Sequence, residues 1–509
     1  MKFDISCLQP KEQASFALRA LYEAAGCRKY HMGRFEEYGL YQENRSFLSS
    51  EQVITFTDLD GRLLALKPDV TLSIAKTAQP APGETLRYYY HENVYRPSAE
   101  SHTFQEIGQM GLELLGEVGE TQVRQAVSLA AQSLAQLGKP WVLEVSHMGY
   151  LFGLLDALGV PEASRAALLA KLRAKNLHEL RAAASAAGLD EAGAEALAGL
   201  MQLCGRCEEV LPRVEAACRN QRMRAAAAEL NAIAAELTGA GGSIRLDMTL
   251  AGEMEYYNGL VFQGYLESLP RPVLKGGRYD LLMQKFTPGA GAIGFAVYLD
   301  ELDRLSAPLP PVQKQPTEKT MLNVALPKGR LGDKVYDLLA GIGYGCPEDY
   351  NATRKLVVEN PAAGIRYFLV KPSDVAIYVE HGAADVGIVG KDILTEASAD
   401  VYELLDTSLG RCRMCVAAPA DYQDDPSRPV RVATKFVNIA KSYYASIGRD
   451  IDIIKLNGSI ELAPILVTEF MPISARFIAN KASYQFKHRE MDEMLEKLRA
   501  ALAAKEEKK

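Results

Sequence analysis

The sequence predicts two modules in series, the first built around an antiparallel β-sheet and the second of the α/β class. Residues 306–320 read SAPLPPVQKQPTEKT, with four prolines and no aromatic side chain, which is typical of a linker without a core of its own. Directly afterwards, MLNVALPKGR joins an apolar strand to a basic glycine turn, a pattern typical of α/β proteins that bind phosphates. We therefore expect a first module at 1–305 and a second at 321–509.

Length and charge narrow the class of protein. A chain of 509 residues is too long for a single core. Its formal net charge of -7 argues against nucleic acid or membrane partners, although a local basic pocket for phosphates is compatible with it. The N-terminus has no uninterrupted apolar segment and no apolar run is long enough to span a bilayer, so we expect a cytoplasmic protein.

The cysteines include two Cys-x-x-Cys pairs, Cys204 with Cys207 and Cys412 with Cys415. Together they offer four thiolates to a zinc ion. The first pair is predicted in a helical segment and the second in an apolar strand, where cysteine serves as a small buried hydrophobe. We favour this packing role over a zinc site and predict no metal ligands.

The first module shows a helix followed by strands. Residues 11–26 have the apolar spacing of an amphipathic helix, and 51–67 predict a hairpin with an Asp-Gly turn. Longer antiparallel strands are predicted at 86–97 and 104–116, with one polar face and one face packed on helices. The Ala- and Leu-rich stretch at 150–240 predicts a helical insert, to which we assign no chemistry.

Alternation along the second long strand places Gln109 and Glu113 on one face, two pleats apart. A carboxylate beside an amide suits a cationic or hydrogen-bonding small ligand. A solvated or ion-paired glutamate is the simpler alternative for Glu113.

Six stretches of the first module resemble the class II aminoacyl-tRNA synthetase core, and histidyl-tRNA synthetase in particular, across about residues 5–305. They are LKPDVT, YRPS, GQMGLELLG, EYYNGLVFQ, KGGRYDLL and GAIGFAVYLDEL. The resemblance implies the class II antiparallel fold and a histidine pocket in which acidic groups face the cationic groups of the ligand. The implied pocket residues are Asp69, Thr71, Arg96, Gln109, Glu113, Tyr257 and Tyr279.

Two positions depart from the synthetase pattern. Gly252 stands where the synthetase has a catalytic arginine, and Glu301 where the third class II motif has an ATP-binding arginine. Adenylation requires positive charge on the transferred phosphoryl group, so both changes predict loss of that reaction. The module is accordingly similar to the regulatory subunit of ATP phosphoribosyltransferase, a synthetase paralogue that senses histidine. A synthetase relative that still adenylates is the alternative that these residues disfavour.

In the second module, basic residues follow predicted strands. Lys328 and Arg330 flank a glycine at the start of a predicted helix, Lys371 ends the strand IRYFLVK, and Lys391 lies in a turn behind the buried strand VGIVG. Open α/β sheets bind ligands at the carboxyl ends of their strands. A solvated surface charge is the alternative for each of these residues, since a glycine turn alone is a weak motif.

The stretches LPKGRL, HGAADVGIVGKD, IIKLNGSIELAP and ISARFIANKASYQFK resemble the short-form catalytic subunit of ATP phosphoribosyltransferase, across about residues 321–487. That family has two α/β lobes of the periplasmic-binding-protein kind, which places the second lobe at about 415–485. The resemblance implies the first reaction of histidine biosynthesis, in which N1 of ATP is joined to phosphoribosyl pyrophosphate, with Mg²⁺ on the pyrophosphate.

Such a reaction develops an oxocarbenium-like sugar while pyrophosphate leaves, so its site requires cations. The predicted catalytic residues are Lys328, Arg354 and Lys371. Substrate-binding roles are predicted for Arg330, Lys391, Asp392, Ser459 and Glu461.

One part of the family pattern is absent. After NGSIELAPIL the family continues with a strand and a phosphate-binding loop of the type VDIVETGNTL, whereas here Leu466 leads directly into Val467. Roughly twenty residues are missing, and with them the backbone donors for the 5′-phosphate of the sugar. Either a segment has been left out of this sequence, which the close match on both sides favours, or the chain truly lacks the loop.

The leading hypothesis is a fused regulatory and catalytic ATP phosphoribosyltransferase that is inhibited by histidine. Its ligands would be ATP, phosphoribosyl pyrophosphate and histidine, and we expect a homo-oligomer. The alternative is a histidine-sensing protein whose catalytic lobe is inactive because the phosphate loop is absent.

Overall fold

The structure is a computed structural model that describes residues 8–44, 53–97, 103–138, 140–237, 243–251, 257–305, 321–347, 355–419, 421–456 and 466–506. The chain divides into two compact units, Met1–Val312 and Gln313–Lys509. The predicted linker at 306–320 lies outside the described residues.

The first unit combines a large sheet with helices on both of its faces. Its strands are β1 (Arg28–Lys29), β2 (Phe35–Glu37), β3 (Ile54–Thr57), β4 (Leu63–Leu66), β5 (Thr85–Pro97), β6 (Phe104–Gly116), β7 (Trp141–His147), β8 (Cys204–Arg206), β9 (Ser243–Asp247), β10 (Leu260–Leu266), β11 (Leu274–Arg278) and β12 (Gly291–Tyr298). Its helices are α1 (Pro10–Ala24), α2 (Tyr38–Glu43), α3 (Thr71–Thr77), α4 (Glu120–Leu137), α5 (Met148–Ala157), α6 (Glu162–Arg173), α7 (Leu177–Ala186), α8 (Glu191–Leu200), α9 (Cys207–Ala216), α10 (Gln221–Glu236), α11 (Asp280–Phe286) and α12 (Leu299–Leu302).

Nine of these strands form one sheet in the order β1-β5-β6-β12-β11-β10-β7-β9-β8. Pairing is antiparallel from β5 across to β7, and β5 and β6 pair along their whole length. The remaining strands form a small antiparallel sheet, β2-β4-β3, which contains the hairpin predicted at 51–67. The helix predicted at 11–26 and the two long strands are confirmed as α1, β5 and β6.

Apolar clusters on the two faces of this sheet hold the unit together. α1 and α4 contribute to the larger cluster, in which Leu18 and Leu114 are fully buried. α3, α11 and the small sheet contribute to the other cluster, in which Ile74 and Leu115 are fully buried. The consecutive residues Leu114 and Leu115 belong to different clusters because successive side chains of a strand point to opposite faces.

The second unit has two lobes. Its strands are β13 (Leu322–Pro327), β14 (Val357–Asn360), β15 (Ile365–Val370), β16 (Val386–Gly390), β17 (Tyr402–Asp406), β18 (Cys412–Ala417), β19 (Val430–Thr434), β20 (Ile451–Lys455), β21 (Leu466–Ile473) and β22 (Ala475–Ala479). Its helices are α13 (Arg330–Leu339), α14 (Val375–Glu380), α15 (Lys391–Ala397), α16 (Val437–Ser446) and α17 (Lys481–Glu506), with a π-helical turn at Ala340–Tyr344 and a 3₁₀ turn at Pro372–Asp374.

The first lobe is a six-stranded sheet in the order β14-β15-β13-β16-β22-β17. β15, β13 and β16 are parallel, and β16 also pairs antiparallel with β22. α13 and α17 cover one face through Leu339 and Met494, whereas α14 and α15 cover the other face through Val379 and Leu394. These layers agree with the α/β class predicted from the sequence.

Two chain crossings connect the lobes. β17 leads into β18 through residues 407–411, and β21 returns to β22 through Ser474. The crossings are bonded to each other, because the Thr407 N–H donates to the Ala475 carbonyl and the Ala475 N–H to the Leu409 carbonyl, both at 2.9 Å. Paired crossings of this kind allow one lobe to rotate against the other.

The second lobe, comprising β18 to β21 and α16, has two separate strand pairs within the described residues. β19 and β20 are parallel and are linked by α16, whereas β18 and β21 are antiparallel. The first lobe has the same two kinds of pair, β13 with β15 and β17 with β22, and β16 joins them into one sheet. Among the described strands of the second lobe, none has the place of β16.

Packing in the second lobe is correspondingly thin. The buried apolar side chains among its described residues are Phe436, Ile439, Ala440, Tyr444 and Ile473. A strand is fully buried only when packed layers cover both of its faces, and β18 is largely exposed along its length.

The exposure of β18 extends to its two cysteines. Cys412 and Cys415 in β18 are exposed, so the burial predicted for this pair is wrong. Cys204 begins β8 and Cys207 begins α9, so the helical prediction for the first pair holds for Cys207 alone. The pairs belong to different units of the chain.

We expect trypsin to cleave the second lobe well before the first. Sites after Arg431 and Lys435 should be cut early, because a segment with few buried apolar contacts opens at a low free-energy cost. Mass spectrometry of timed digests measures the order of cleavage. Cleavage after Arg366 in β15 at the same rate would contradict this expectation.

Candidate functional site

The carboxyl ends of three neighbouring strands of the second unit carry lysines. Lys328 follows β13, Lys371 follows β15 and Lys391 follows β16. These strands are adjacent and parallel, so their carboxyl ends lie along one edge of the sheet. We call residues 328–330, 371 and 391–392, which follow β13, β15 and β16, the cationic edge.

Backbone geometry fixes the turn after β13. Gly329 has a φ of 100°, a conformation that favours glycine, and its carbonyl accepts the Asp333 N–H at 3.0 Å. The Lys328 N–H donates to the Val370 carbonyl at 2.8 Å, which fastens the turn to the end of β15. Arg330 is the first residue of α13, so both flanking cations lie at a helix N-terminus, which favours anions.

Three of the predicted cations are available to a ligand. Lys328, Arg330 and Lys371 are exposed, and none of them forms an ion pair with a carboxylate in the described part of the chain. Their positive charges are therefore not offset locally. An anion at the cationic edge would meet all three without breaking an internal ion pair.

Lys391 has a different environment. Its Nζ donates to Glu403 at 2.8 Å, and Glu403 also lies 3.3 Å from Nε of the buried Arg476. Arg476 in turn contacts Asp406 at 2.9 Å. This network, which the sequence analysis missed, fixes the lysine at the start of α15.

Asp392 is the second residue of α15, and its carboxylate occupies the space that a Cβ at Gly390 would need. A side chain at position 390 would therefore displace this carboxylate from its observed position. Arg354, Ser459 and Glu461 lie outside the described residues, so their predicted roles stay predictions.

The first unit contains a buried carboxylate. Glu113 in β6 is 2% exposed, and it accepts hydrogen bonds from the Thr71 hydroxyl at 2.9 Å and the Tyr279 hydroxyl at 2.5 Å. Burial raises the pKa of Glu113 to about 8, although the two hydrogen bonds act in the opposite direction. Gln109 is also buried and lies on the same face of β6, as the strand alternation predicts.

A second acid, Asp69, lies close enough to Glu113 for its charge to raise the pKa of Glu113 further. One Asp69 oxygen accepts the Leu72 N–H at 2.9 Å, and the other lies 3.9 Å from Nη2 of Arg96. Burial raises the pKa of Asp69, and the charge of Arg96 opposes that shift. Arg96 is oriented by a 2.8 Å hydrogen bond from its Nε to the Pro68 carbonyl.

Tyrosines complete this group of polar residues. Tyr279 and Tyr90 are buried, and burial followed by the charge of Glu113 raises the pKa of both. Tyr257 is near enough to both for its charge to affect their pKa values. Tyr90 was missed by the sequence analysis, although its position on β5, opposite Gly111 of the GQMGLELLG motif, signals the same face.

Two glycines make room for these side chains. A Cβ at Gly111 would overlap the Tyr90 ring, and a Cβ at Gly294 would overlap the Glu113 carboxylate. Both glycines belong to stretches that resemble the synthetase. In these stretches the glycines leave the space that the buried polar side chains occupy, besides forming part of the sheet.

This group, which we call the acidic pocket, consists of two carboxylates, an arginine, an amide and phenols. Carboxylates suit an ammonium group and an arginine suits a carboxylate. An amino acid carries both groups, so the arrangement is complementary to an amino acid whose side chain is also polar. All seven predicted pocket residues are among the described residues, and six of them are linked by the contacts and charges above; Gln109 is placed by its strand face.

Of the two positions that depart from the synthetase pattern, Glu301 is among the described residues. Glu301 in α12 is ion-paired with Arg304 at 3.2 Å, and its effect on adenylation stays a prediction. Gly252 lies outside the described residues.

One cluster in the first unit has the composition of a metal site. Donor atoms of Glu144, Cys204 and Asp247 lie within 4.8 Å of one another. The Lys175 ammonium already donates to Asp247 at 2.5 Å and to Thr249 at 3.1 Å. Burial raises the pKa of the Cys204 thiol to about 12, so the thiol stays protonated. The cluster therefore fits an internal ion network whose cation is a lysine.

By fold and site, the chain is a two-unit protein in which a class II synthetase-like unit with an acidic pocket precedes an α/β unit with a cationic edge. Residues 10–302 match the family model described as histidyl-tRNA synthetase, and residues 371–469 match the one described as ATP phosphoribosyltransferase. A solved structure of an ATP phosphoribosyltransferase regulatory subunit/histidyl-tRNA synthetase from Bacillus halodurans has a TM-score of 0.53 and 23% identity, covering 71% of this chain and 94% of that chain.

Curated relatives match the second unit more strongly. An ATP phosphoribosyltransferase from Brachyspira hyodysenteriae is 53% identical over 192 residues, which cover 93% of that protein and 33% of this chain. Another from Bacillus licheniformis is 41% identical over 200 residues, covering 93% of that protein and 35% of this chain. The chain therefore belongs to the histidyl-tRNA synthetase family through its first unit and to the ATP phosphoribosyltransferase family through its second.

The alignments also measure how much of the second unit is absent. The Brachyspira alignment runs over 192 residues but takes in 33% of the 509-residue chain, about 168 residues, so about 24 positions of the relative have no counterpart here. That length is enough for a strand and a loop. It agrees with the second lobe, in which no described strand has the place of β16.

No helix among the described residues is both long and apolar enough to cross a membrane.

We expect the buried Glu113 to make the stability of the first unit depend on pH. The pKa of Glu113 is about 8 in the folded chain and near its ordinary 4.5 in the unfolded chain, so the folded chain holds the extra proton between these values. The free energy of unfolding should therefore fall as pH rises from about 5 to 8, by on the order of a few kcal/mol. Denaturant titrations across this range measure it.

Glu113→Gln should flatten that dependence, because the amide does not titrate. Glu117→Gln, the same change at an exposed position near the end of β6, is the matched control and should leave the dependence intact. An identical pH dependence in Glu113→Gln and in the unmodified chain would contradict the assignment.

Proposed function

We propose that the chain condenses ATP with phosphoribosyl pyrophosphate to form phosphoribosyl-ATP and pyrophosphate, the first reaction of histidine biosynthesis, under control by histidine. The observation that carries this proposal is the cationic edge, on a unit that belongs to the ATP phosphoribosyltransferase family. Both substrates are polyanions, and three unpaired cations at adjacent strand ends suit them. In this proposal Lys328 and Lys371 lie beside the reacting groups, and Arg354 joins them.

The reaction separates charge at the sugar, since pyrophosphate leaves as the anomeric carbon becomes cationic. Cations fixed beside the leaving group stabilise that transition state, and the N–H groups at the start of α13 add to them. Arg330 and Lys391 would hold substrate phosphates, Lys391 within the network that Glu403 and Arg476 fix. Ser459 and Glu461 are proposed to bind substrate by the family resemblance.

Mg²⁺ fits the chemistry of this edge. It prefers oxygen ligands and is commonly bound by one or two carboxylates together with substrate phosphates. Asp392 is a carboxylate at the cationic edge that forms no ion pair in the described part of the chain. When bound, Mg²⁺ would offset the charge of the pyrophosphate, and Asp392 is the residue we propose as its protein ligand.

Histidine is proposed as the ligand of the acidic pocket. Its α-ammonium group and imidazole suit Glu113 and Asp69, and its carboxylate suits Arg96. Glu301 disfavours adenylation of the bound histidine, so binding in the first unit would serve control rather than synthesis. The resemblance implies a family whose two subunits assemble in equal number, and a fusion preserves that ratio, so we propose a homo-oligomer.

A second candidate function is a histidine-sensing protein with an inactive catalytic lobe. It is favoured by one observation, the two separate strand pairs of the second lobe. Without the strand and loop that would join them, the 5′-phosphate of the sugar donor lacks its backbone donors. Poor positioning of a substrate costs large factors in rate.

Product formation by the 509-residue chain itself would support the proposed function, whereas product from an insertion variant alone would support the second candidate, whose catalytic lobe is inactive without the loop. The stretch of the Brachyspira relative that corresponds to the predicted phosphate-binding loop would be inserted between Leu466 and Val467. We expect phosphoribosyl-ATP formation by the insertion variant at least a hundredfold faster than by the 509-residue chain, because the restored loop holds the donor. A chromatographic assay of product from ATP, phosphoribosyl pyrophosphate and Mg²⁺ measures both proteins.

Equal activity of the two proteins would show that the loop is dispensable. If neither protein forms product while the first unit still binds histidine, the histidine-sensing function is the better explanation. Intact mass must agree with 55.7 kDa for the shorter protein, so that no unsequenced segment is present.

Lys328→Ala should lower kcat by about a hundredfold to a thousandfold, because it removes a cation proposed to lie beside the leaving group. The variant is made in the 509-residue chain, or in the insertion variant if only that protein forms product. Lys334→Ala is the matched control, since Lys334 is an exposed lysine one turn into α13. Steady-state kinetics of both variants measure the difference. An unchanged kcat in Lys328→Ala would remove this residue from the catalytic set.

A further inference from the structure

The helix α16 of the second lobe begins without a capping side chain of its own. Its N-cap residue is Phe436, which offers no oxygen to the free N–H groups of the first turn. Two of those N–H groups instead donate to the carboxylate of Glu396. The Asn438 N–H lies 3.1 and 3.0 Å from the two oxygens, and the Ile439 N–H lies 3.1 Å from one of them.

Glu396 belongs to the other lobe. It is in α15, the helix of the first lobe that begins with Lys391 and Asp392. A further hydrogen bond has the same direction, since the Asn438 side-chain amide donates to the Glu396 carbonyl at 2.9 Å. We call this contact, in which Asn438 and Ile439 donate and Glu396 accepts, the interlobe latch.

The position of the latch gives it a mechanical role. The lobes are also connected by the paired crossings at residues 407–411 and Ser474, which allow rotation. The latch ties α15, which carries Lys391 and Asp392, to α16, which follows β19 as α13 follows β13. Each end of the latch therefore lies beside the carboxyl end of a strand, where an α/β lobe binds its ligand.

The contact is also electrostatically favourable. A carboxylate at a helix N-terminus meets the positive end of the helix dipole, and hydrogen bonds to a charged acceptor are stronger than those between neutral groups. Neither benefit is available to α16 if the lobes separate, because Phe436 cannot replace the carboxylate.

We propose that Glu396 is a positioning residue that holds the second lobe against α15 and so sets the spacing between the substrate groups of the two lobes. This rests on the proposed function of the second unit. With the latch formed, the N-terminal turn of α16 is ordered and the two strand ends face a cleft of defined width. With the latch broken, the same turn frays and the lobes rotate about the crossings.

Amide hydrogen exchange tests the latch directly and does not depend on activity. In Glu396→Ala we expect the exchange of peptides that contain Asn438 and Ile439 to rise about tenfold, while peptides from β13 and β16 keep their exchange rates. Glu396→Gln keeps one acceptor oxygen and should show an intermediate increase. Glu496→Ala, the same change at an exposed position of α17, is the matched control and should leave α16 unchanged. Unaltered exchange in α16 of Glu396→Ala would overturn the latch.

Kinetics of the insertion variant test the positioning role. With Glu396→Ala we expect KM for both substrates to rise about tenfold with a smaller change in kcat, because fewer molecules have the cleft at the productive width. Glu396→Gln should recover part of that loss. Faster exchange in α16 with unchanged KM values would reduce Glu396 to a helix cap and overturn its positioning role. A protein without any activity would contradict the proposed function, while the exchange result would still decide the latch.

Discussion

The second unit depends on one strand that is paired on both of its sides. β16 bonds in parallel to β13 and antiparallel to β22, and in doing so it joins two strand pairs into a single sheet whose faces are both covered. Because its partners are fixed, the turn that follows it places Lys391 and Asp392 beside the ends of β13 and β15. The second lobe has the same two kinds of strand pair and no described strand between them. Thin packing and exposed cysteines among the described residues are the expected consequences of that difference.

The first unit depends on a different constraint, the burial of a carboxylate. Glu113 is tolerated in the interior because Thr71 and Tyr279 donate to it and because Gly294 leaves space for it. A buried carboxylate lowers stability when it is ionised and no ligand is bound beside it. A cationic ligand would offset that loss. Glu113 is buried beside Asp69, where its ionised form lowers stability, and Glu301 is a carboxylate. These features are consistent with a unit that binds an amino acid without activating it.

The fold and much of each site could be predicted from local patterns. Strand alternation is enough to place Gln109 and Glu113 on one face, and glycine turns after apolar strands are enough to place Lys328 and Lys391 at strand ends. Contacts between distant parts of the chain were not predictable in this way. The partners of Lys391 are a glutamate twelve residues later and, through it, Arg476, and the cap of α16 comes from another lobe. The predicted burial of Cys412 and Cys415 was wrong, because burial depends on the layers that pack against a strand. The sequence of the strand alone does not reveal those layers.

The central claim is that one chain contains both the phosphoribosyltransferase and its own control by histidine. The most direct measurement is the initial rate of phosphoribosyl-ATP formation as histidine is titrated, compared with histidine affinity measured by calorimetry on the same protein. The account predicts that the rate falls as histidine saturates the acidic pocket, with the two midpoints in agreement, because inhibition and binding report one equilibrium. A rate that is unaffected while calorimetry shows saturation would contradict it, since the two units would then act independently.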